Sequence, residues 1–342
     1  MSTIYRPDNK NHIKIKIQNI YMKIAIVQLG RIGDLVLVTS AINLIKSKYP
    51  DAEIDFIVGQ NNAEIVKNNP NISRVLVYYK NPINLIPFIF RLKNRLYDYY
   101  VDVKDHHSTE SNILARLANA IIKVGFNGKD GKLFDISIPS DKENINLHFV
   151  KRIEKIFELL DISPLDKPNR PNLFIPQTSK ECIENYLKTH KIINYILINI
   201  SASVANRMWG EENWIDFINF IKVQYKELII IISDARHSEQ AKNIANQTKI
   251  LHHPPTILSN IFTLIINSKL LISPDTSLIH IASAFDTPAI SLTNNIPFNI
   301  VKFAPLSTIN EIVFPNSNEE IYVPNISVEQ VKEAFIKVIE KI

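Results

Sequence analysis

One stretch decides the fold: Lys23-Ile24-Ala25-Ile26-Val27-Gln28-Leu29-Gly30-Arg31-Ile32-Gly33-Asp34-Leu35-Val36-Leu37-Val38-Thr39-Ser40. Residues 24–28 are uncharged and mostly apolar, which predicts a buried strand. A turn containing Gly30 and Gly33 follows, and the apolar run from Leu35 predicts a helix. A strand, a loop and a helix in this order open an α/β unit.

The chemistry of this stretch lies in Asp34, where the loop enters the helix. An Asp at a helix N-terminus is commonly a cap, and the residues alone favour that role. Beside two glycines a base is the alternative, because glycine lets another molecule approach the backbone. The turn lacks the Gly-x-Gly-x-x-Gly pattern of dinucleotide sites, so an NAD enzyme is disfavoured. From the residues alone, Asp34 remains either a cap or a base.

The same strand and helix rhythm continues on both sides of a proline-rich break. Residues 22–165 predict one parallel-sheet domain, residues 166–176 a linker, residues 177–325 a second parallel-sheet domain, and residues 326–342 a C-terminal helix. Residues 1–21 contain basic side chains but no secretory signal, and we interpret them as a disordered N-terminal extension.

Composition bounds the class of protein. The chain has 342 residues, 46% of them hydrophobic and 21% charged, which is typical of a globular protein. Its one cysteine, Cys182, cannot form an intramolecular disulfide and favours a reducing, cytoplasmic setting. We expect no transmembrane helix, no metal site and no cofactor.

Charge is unevenly distributed between the halves. Residues 1–175 carry 25 Lys and Arg against 18 Asp and Glu, whereas residues 176–342 carry 14 against 16. The positive half should face an anionic partner such as a lipid headgroup or glycan, and nucleic acid is disfavoured because no basic stripe with aromatic residues is present.

Residues 84–96 mix large apolar residues with Arg91, Lys93 and Arg95. They predict either a crossover helix or a helix at a membrane interface.

Polar residues follow several predicted strands. Lys104, Asp105 and His106 come after the fourth strand of the first domain, where ligands of open α/β sheets bind. In the second domain, one loop carries Ser203 and Arg207, whose guanidinium would suit a diphosphate or could simply be solvated. A second loop carries Asp275, Thr276 and Ser277 at a predicted helix N-terminus, with His280 one turn further along, and this pattern indicates an anion site.

These motifs, in this order, resemble glycosyltransferase family 9, the heptosyltransferase family of lipopolysaccharide core assembly. The resemblance is carried by Met22-Lys23-Ile24, Gly30-Arg31-Ile32-Gly33-Asp34, Tyr49-Pro50, Ala115-Arg116-Leu117, Val124-Gly125-Phe126, Arg207-Met208-Trp209 and Pro274-Asp275-Thr276-Ser277-Leu278-Ile279-His280. It covers most of residues 22–295.

The resemblance implies a GT-B architecture, in which two Rossmann-like domains face each other across a cleft, with the acceptor on the first and the nucleotide-sugar on the second. It implies an inverting, metal-independent transfer of a sugar, ADP-heptose being the default donor, to a lipid-linked anionic glycan such as the lipopolysaccharide inner core. The enzyme would be cytoplasmic and peripheral at the inner face of the inner membrane.

The resemblance also implies roles for individual residues. Asp34 would be the general base, and Gly33, Lys104, Asp105 and His106 would contact the acceptor. The donor would be held by Ser203, Arg207, Glu239, Asp275, Thr276, Ser277 and His280, with Arg207 on the diphosphate and Glu239 on the ribose.

Three features depart from the family pattern. Arg207 stands where the family usually has Lys, Ser277 replaces the Gly of Asp-Thr-Gly, and Leu292-Thr293-Asn294-Asn295 replaces Phe-Gly-Pro-Thr. A nucleotide-sugar epimerase of the same fold and a non-catalytic nucleotide-sugar-binding protein are the alternatives. Turnover of the donor alone would indicate the first alternative. An Asp34→Asn variant that keeps the cellular function intact would indicate the second.

Overall fold

The structure, a computed structural model, describes residues 2–8, 11–17, 22–128, 131–317 and 319–342. The chain divides into two compact units, Met1–Phe174 and Ile175–Ile342. Each unit contains its own six-stranded sheet, and all strands of both sheets are parallel. The predicted α/β class with two Rossmann-like parallel-sheet domains is therefore confirmed.

The first unit contains eight strands and six helices among its described residues. They are β1 (Ser2–Asp8), β2 (Asn11–Ile17), β3 (Lys23–Gln28), α1 (Ile32–Val38), α2 (Ser40–Lys48), β4 (Glu53–Gly59), α3 (Ala63–Val66), β5 (Arg74–Tyr78), α4 (Pro82–Lys93), β6 (Tyr97–Asp102), α5 (Thr109–Leu117), β7 (Ala120–Gly125), β8 (Ile136–Ser137) and α6 (Phe149–Glu158).

The main sheet of this unit has the strand order β5-β4-β3-β6-β7-β8. The first strand of this sheet, β3, lies at its centre. The next two strands, β4 and β5, lie on one side of β3, and the last three, β6, β7 and β8, lie on the other. In register, Ile26 of β3 pairs with Phe56 of β4, and Val27 pairs with Asp102 of β6. This is the Rossmann order, in which the switch of direction lies between β3 and β6.

Apolar side chains explain why β3 and β6 lie at the centre. Residues 24–27 are at most 1% exposed, as expected for a strand that is covered by helices on both faces. On one face, Ala25 and Val27 join Tyr97 and Tyr100 of β6 in a cluster that includes Phe88 of α4. The helices are thereby fixed against the sheet.

Two terminal segments of this unit bear on the predicted domain limits. Strands β1 and β2 form an antiparallel hairpin, whereas a disordered extension was expected over 1–21; the Ile-Lys alternation of β2 is the period of a strand. Residues 1, 9, 10 and 18–21 of that extension lie outside the described residues. In the predicted linker, the Asn172 N–H donates to Thr39 Oγ1 at 2.9 Å, and Asn69 Nδ2 donates to the Asn172 carbonyl at 2.9 Å.

The second unit repeats the pattern. Its elements are α7 (Gln177–Thr189), β9 (Ile196–Asn199), α8 (Glu211–Gln224), β10 (Ile229–Ile232), α9 (Ser238–Thr248), β11 (Leu251–His252), α10 (Leu258–Ile266), β12 (Leu270–Pro274), α11 (Ser277–Phe285), β13 (Ala289–Leu292), α12 (Pro297–Lys302), β14 (Asn310–Val313) and α13 (Val328–Ile339). The strand order β11-β10-β9-β12-β13-β14 equals that of the first sheet. Its switch point lies between β9 and β12.

An aromatic cluster fills one face of this second sheet. The rings of Trp209 and Trp214 meet edge to face at 4.7 Å, and Phe217 meets Phe335 of α13 at 5.9 Å. Trp209 also donates its indole N–H to the Ile326 carbonyl at 2.8 Å. The C-terminal helix is therefore part of this core through Phe335. The segment just before it supplies the acceptor that the buried Trp209 indole needs.

Candidate functional site

In the first unit, strand order gathers the predicted residues at one edge of the sheet. Asp34 lies in the first turn of α1, directly after β3, and Lys104 lies directly after β6. Since β3 and β6 are neighbours, both residues lie at the carboxyl edge of the switch point. Ligands of open α/β sheets bind at this position.

Asp34 does not occupy the N-cap position of its helix. The cap position of α1 belongs to Arg31, which makes no side-chain capping hydrogen bond, and Gly33 and Asp34 are both half-buried in the first turn. A methyl group added at Gly30 would lie 3.3 Å from Gln28 Oε1 and 3.7 Å from Asp34 Oδ2. The carboxylate of Asp34 thus borders the glycine turn, where a bound molecule could approach it.

The loop after β6 fixes Lys104 at both ends. Its backbone N–H donates to Asp102 Oδ1 at 3.1 Å, and its Nζ donates to Ser108 Oγ at 3.0 Å. Burial raises the pKa of Asp102 above its usual range, although the hydrogen bond from Lys104 partly opposes this. The ammonium group of Lys104 is therefore held near the edge by a hydroxyl group.

Asp105 and His106, the predicted acceptor contacts after Lys104, interact with each other and with a buried arginine. Arg152 Nη1 of α6 lies 2.7 Å from Asp105 Oδ2 and 2.6 Å from Asp141 Oδ1, and Arg152 is 4% exposed. His106 Nδ1 lies 3.2 Å from Asp105 Oδ1. Asp105 therefore balances a buried guanidinium, whereas the His106 ring is largely exposed. Sequence reasoning missed Arg152. It could have been found as a charged residue at a position that belongs to the apolar, buried face of α6.

In the second unit, the two loops at the switch point are joined by a buried polar network. Asn199, at the end of β9, donates from Nδ2 to Ser273 Oγ of β12 at 2.9 Å and to the Ser201 carbonyl at 3.0 Å. Ser201 Oγ returns a hydrogen bond to Asn199 Oδ1 at 2.8 Å. This network holds both loops in place, and sequence reasoning did not identify it.

Arg207 and Asp275 come together across these two loops. Arg207 Nη1 lies 3.4 Å from Asp275 Oδ2 and donates to the Asp275 carbonyl at 3.3 Å. Both side chains are partly exposed. The carboxylate therefore holds a cationic fork at the carboxyl edge, next to the start of α11, and such a fork can bind phosphate oxygens.

The N-terminus of α11 adds polar groups beside this pair. Thr276 caps the helix by accepting a hydrogen bond from the Leu278 N–H at 3.4 Å, and its Oγ1 lies 3.2 Å from Ser273 Oγ. Ser277 is half-buried in the first turn. His280 is 4% exposed, and its ring lies 6.0 Å from the Phe303 ring. The helix start thus offers hydroxyl groups and backbone N–H groups, while His280 packs inward.

Ser203 and Glu239 are both exposed, after β9 and β10 respectively. Between β10 and α9, Asp234 accepts hydrogen bonds from Arg236 Nη2 and from the His237 ring, each at 2.7 Å. Burial opposes ionisation of Asp234, but these hydrogen bonds outweigh it and lower its pKa. This cluster at the carboxyl edge was also missed, because no spacing rule points to it.

Among the residues that the structure describes, no group of three His, Cys, Asp or Glu side chains is arranged to hold a metal ion. Over the same residues, no helix is long and apolar enough to cross a membrane.

Comparison with known proteins gives consistent matches. The sequence model of glycosyltransferase family 9 (heptosyltransferase) matches residues 87–321. The lipopolysaccharide core heptosyltransferase OpsX of Haemophilus influenzae is 22% identical over 300 residues, covering 85% of this chain and 83% of OpsX.

Solved structures show the same fold. A family 9 glycosyltransferase from Veillonella parvula superposes with a TM-score of 0.81 at 16% identity, covering 94% of this chain and 98% of that protein. The Escherichia coli heptosyltransferase WaaC, solved with ADP, superposes with a TM-score of 0.74 at 18% identity, covering 94% and 99%.

Proposed function

Because the chain belongs to glycosyltransferase family 9, we propose that this glycosyltransferase moves a heptose-like sugar from a nucleotide diphosphate donor, ADP-heptose by default, to a lipid-linked anionic acceptor such as the lipopolysaccharide inner core. The name of OpsX and the ADP in the WaaC structure support this choice of acceptor and donor.

The Arg207 and Asp275 pair is the observation that carries the donor side. As the bond between the sugar and the diphosphate breaks, negative charge grows on the diphosphate. A cation that is already oriented towards the diphosphate stabilises this charge best. Asp275 orients Arg207 at 3.4 Å. Ser203, Thr276 and Ser277 would donate hydrogen bonds to the phosphates, Glu239 would bind the ribose, and His280 would support the start of α11 from within.

Asp34 would act on the acceptor. A sugar hydroxyl is a poor nucleophile while it keeps its proton, and a carboxylate beside the open glycine turn can remove it. The acceptor oxygen then bonds to the anomeric carbon, the carbon–oxygen bond to the diphosphate breaks, and the electron pair leaves with the diphosphate. This single displacement inverts the anomeric centre and needs no metal ion in the proposed mechanism. Lys104 and His106 would bind anionic groups of the acceptor, near Gly33.

We also propose that the enzyme works at the cytoplasmic face of the inner membrane as a peripheral protein. A lipid-linked acceptor is confined to a bilayer, so the enzyme must reach the bilayer surface. The excess of basic residues in the first half of the chain supports this location.

Calorimetric titration of ADP, UDP, GDP and CMP tests the donor side. We expect ADP to bind selectively and Arg207→Ala to weaken its affinity about 10- to 100-fold, as for loss of hydrogen bonds to a charged group. Arg207→Lys should restore part of the affinity, because the charge remains without the fork. Arg116→Ala, which removes an exposed arginine of the first unit, is the control. Selective binding of another nucleotide would refute the ADP donor, and binding of none would refute the transferase assignment.

A further inference from the structure

Helix α4 exposes large apolar side chains along one stripe. Ile83, Ile86 and Phe90 are 83%, 70% and 68% exposed. Their spacing of three and four residues puts them on one face of the helix. Single exposed apolar residues are ordinary on protein surfaces, but three in one row are a patch that needs an explanation.

The rest of the helix is apolar for a different reason. Phe88 and Leu92 are 4% and 0% exposed and pack in the core of the first unit. The helix therefore has one apolar face that the fold uses and a second that it leaves in solvent. Packing within the described residues explains only the first.

Basic side chains border the exposed stripe. Arg91 and Lys93 are exposed in the last turn, and residues 81–94 contain no acidic residue. Arg95, which the sequence grouped with them, is instead 8% exposed and paired with Glu53 and Asp55. Helix α5 contacts α4 and exposes Ile113 and Arg116. The charge that α4 presents beside the exposed apolar stripe is thus positive.

The exposed stripe of α4 begins near the carboxyl edge of the sheet. Three residues separate the end of β5 from the start of α4, so the first turn of α4, with Ile83, lies at the carboxyl edge of the sheet. Asp34 and Lys104 lie at that same edge, whereas the last turn of α4 leads back to the start of β6 at the opposite edge. A bilayer bound along α4 would therefore reach the edge that carries Asp34 and Lys104 at the first turn of the helix.

We propose that Ile83, Ile86, Phe90, Arg91 and Lys93, here called the α4 surface, form the site at which the enzyme docks on an anionic lipid bilayer. Apolar side chains would insert at the boundary of headgroups and acyl chains, and the two cations would bind lipid phosphates, which is how interfacial amphipathic helices bind. The inference rests on the proposed function for its lipid-linked acceptor.

Vesicle flotation of the full chain tests this proposal. We compare vesicles of phosphatidylcholine alone with vesicles that contain phosphatidylglycerol. The wild type should bind the anionic vesicles, Arg91→Gln/Lys93→Gln should bind them about 10- to 30-fold less tightly, and Ile86→Asn/Phe90→Asn should lose at least about tenfold. The matched control is Ile193→Asn/Val223→Asn, which changes two residues of the second unit that are 89% and 71% exposed and should bind as the wild type does.

A second measurement covers the case of a misfolded variant. Both tryptophans, Trp209 and Trp214, are at most 1% exposed, so Phe90→Trp introduces an accessible indole. When anionic vesicles are added, the fluorescence of this indole should shift to the blue, and brominated lipids in the vesicles should quench it. Unquenched fluorescence, equal binding of all variants, or no binding by the wild type would overturn the proposal. So would a dimer in sedimentation experiments that Ile86→Asn/Phe90→Asn dissociates, because the occupant would then be a second copy of the chain.

A transfer assay separates this failure from failure of the proposed function. With a water-soluble acceptor glycan, Ile86→Asn/Phe90→Asn should transfer sugar at the wild-type rate, whereas with the lipid-linked acceptor in vesicles it should be at least about tenfold slower. A wild type that transfers to neither acceptor would refute the proposed function. Equal loss on both acceptors would refute docking by the α4 surface.

Discussion

Asp34 and Asp105 are two carboxylates at the same sheet edge with different surroundings. Asp34 borders a glycine turn, and its Oδ2 is 3.7 Å from where a Gly30 methyl group would lie. Asp105 lies 2.7 Å from Arg152, whose buried charge it balances. The glycine turn favours Asp34 for proton removal, because a sugar hydroxyl can approach its carboxylate there.

We expect Asp34→Asn to slow sugar transfer about 10²- to 10⁴-fold, the usual contribution of a general base. Donor affinity should stay unchanged, because the donor residues lie in the second unit. Steady-state kinetics and donor calorimetry measure the two effects separately. Asp51→Asn, at an exposed position, is the control, and transfer by Asp34→Asn within threefold of the wild type would exclude Asp34 as the base.

Arg152→Leu should destabilise the first unit by about 3 kcal/mol, since it leaves the buried Asp105 carboxylate without its cation. Urea unfolding of the full chain measures this change. Lys155→Leu, at an exposed position on the same helix, should change the free energy of unfolding by less than about 0.5 kcal/mol. Equal effects of the two substitutions would contradict a structural role for the Arg152 pair.

The raised pKa of Asp102 predicts a pH-dependent effect on stability. Burial raises the pKa of Asp102 in the folded chain above 3.8, the ordinary pKa that it would have in the unfolded chain. Stability therefore falls as pH rises from that value through the folded pKa. Asp102→Asn keeps an oxygen for the Lys104 N–H and removes the charge, so its melting temperature at pH 7 should equal or exceed that of the wild type. Thermal melts between pH 4 and pH 8 should show any such advantage shrinking as pH falls, and an advantage that grows would contradict this assignment.

At the scale of elements, helix starts link stability to the site. Thr276 caps α11 beside the donor residues, whereas Ser327 caps α13 far along the chain. Ser327 Oγ accepts from the Gln330 N–H at 3.3 Å, and Gln330 Oε1 accepts from the Ser327 N–H at 3.1 Å. This reciprocal pair closes the first turn of a helix that packs Phe335 into the core.

Ser327→Ala should lower the free energy of unfolding by about 1 kcal/mol, the usual cost of losing an N-cap. Nucleotide affinity should not change, because the cap makes no contact with the donor residues. A double-mutant cycle with Gln330→Ala measures the coupling. Additive losses would show that the two side chains stabilise α13 independently.

Long apolar runs made most elements predictable. The sequence indicates β3 and β9 because each is a continuous buried run next to turn residues. It gives no sign of β14, whose residues are mostly half-exposed at the sheet edge, or of the four-residue helix α3. Such short elements are stabilised by contacts with neighbouring parts of the chain, and they are too short to show a hydrophobic period in the sequence.

For the site, residue type and position after a strand singled out Asp34, Arg207 and Asp275 as candidates. Their roles came from the family resemblance and stay predictions. Residue type and position could not show that Asp105 pairs with Arg152, since those residues are 47 positions apart. Nor could they show the Asn199 and Ser273 hydrogen bond, which spans 74 positions. Partners brought together only by tertiary folding leave no local pattern.

At the scale of the whole molecule, each unit has its own core and the same strand order. Every predicted donor residue lies in Ile175–Ile342, and every predicted acceptor residue lies in Met1–Phe174. Donor binding and acceptor binding should therefore be separable properties.

A fragment of residues 175–342 should fold and bind ADP with an affinity close to that of the full chain. Circular dichroism reports its folding, and calorimetry reports its affinity. The same fragment with Arg207→Ala is the matched control and should bind weakly. A folded fragment that binds no nucleotide, when the full chain does, would show that the first unit supplies donor contacts.

The buried network beneath the donor loops has a consequence for enzymology. Asn199, Ser201, Ser273 and Thr276 hold these loops through amide and hydroxyl groups, none of which gains or loses a proton near neutral pH. Acid or alkali should therefore leave the hydrogen-bonded framework of these loops, where we propose that the nucleotide binds, intact near neutral pH. Bends in a plot of log(kcat/KM) against pH can then be attributed to substrate-touching groups rather than to a softening scaffold.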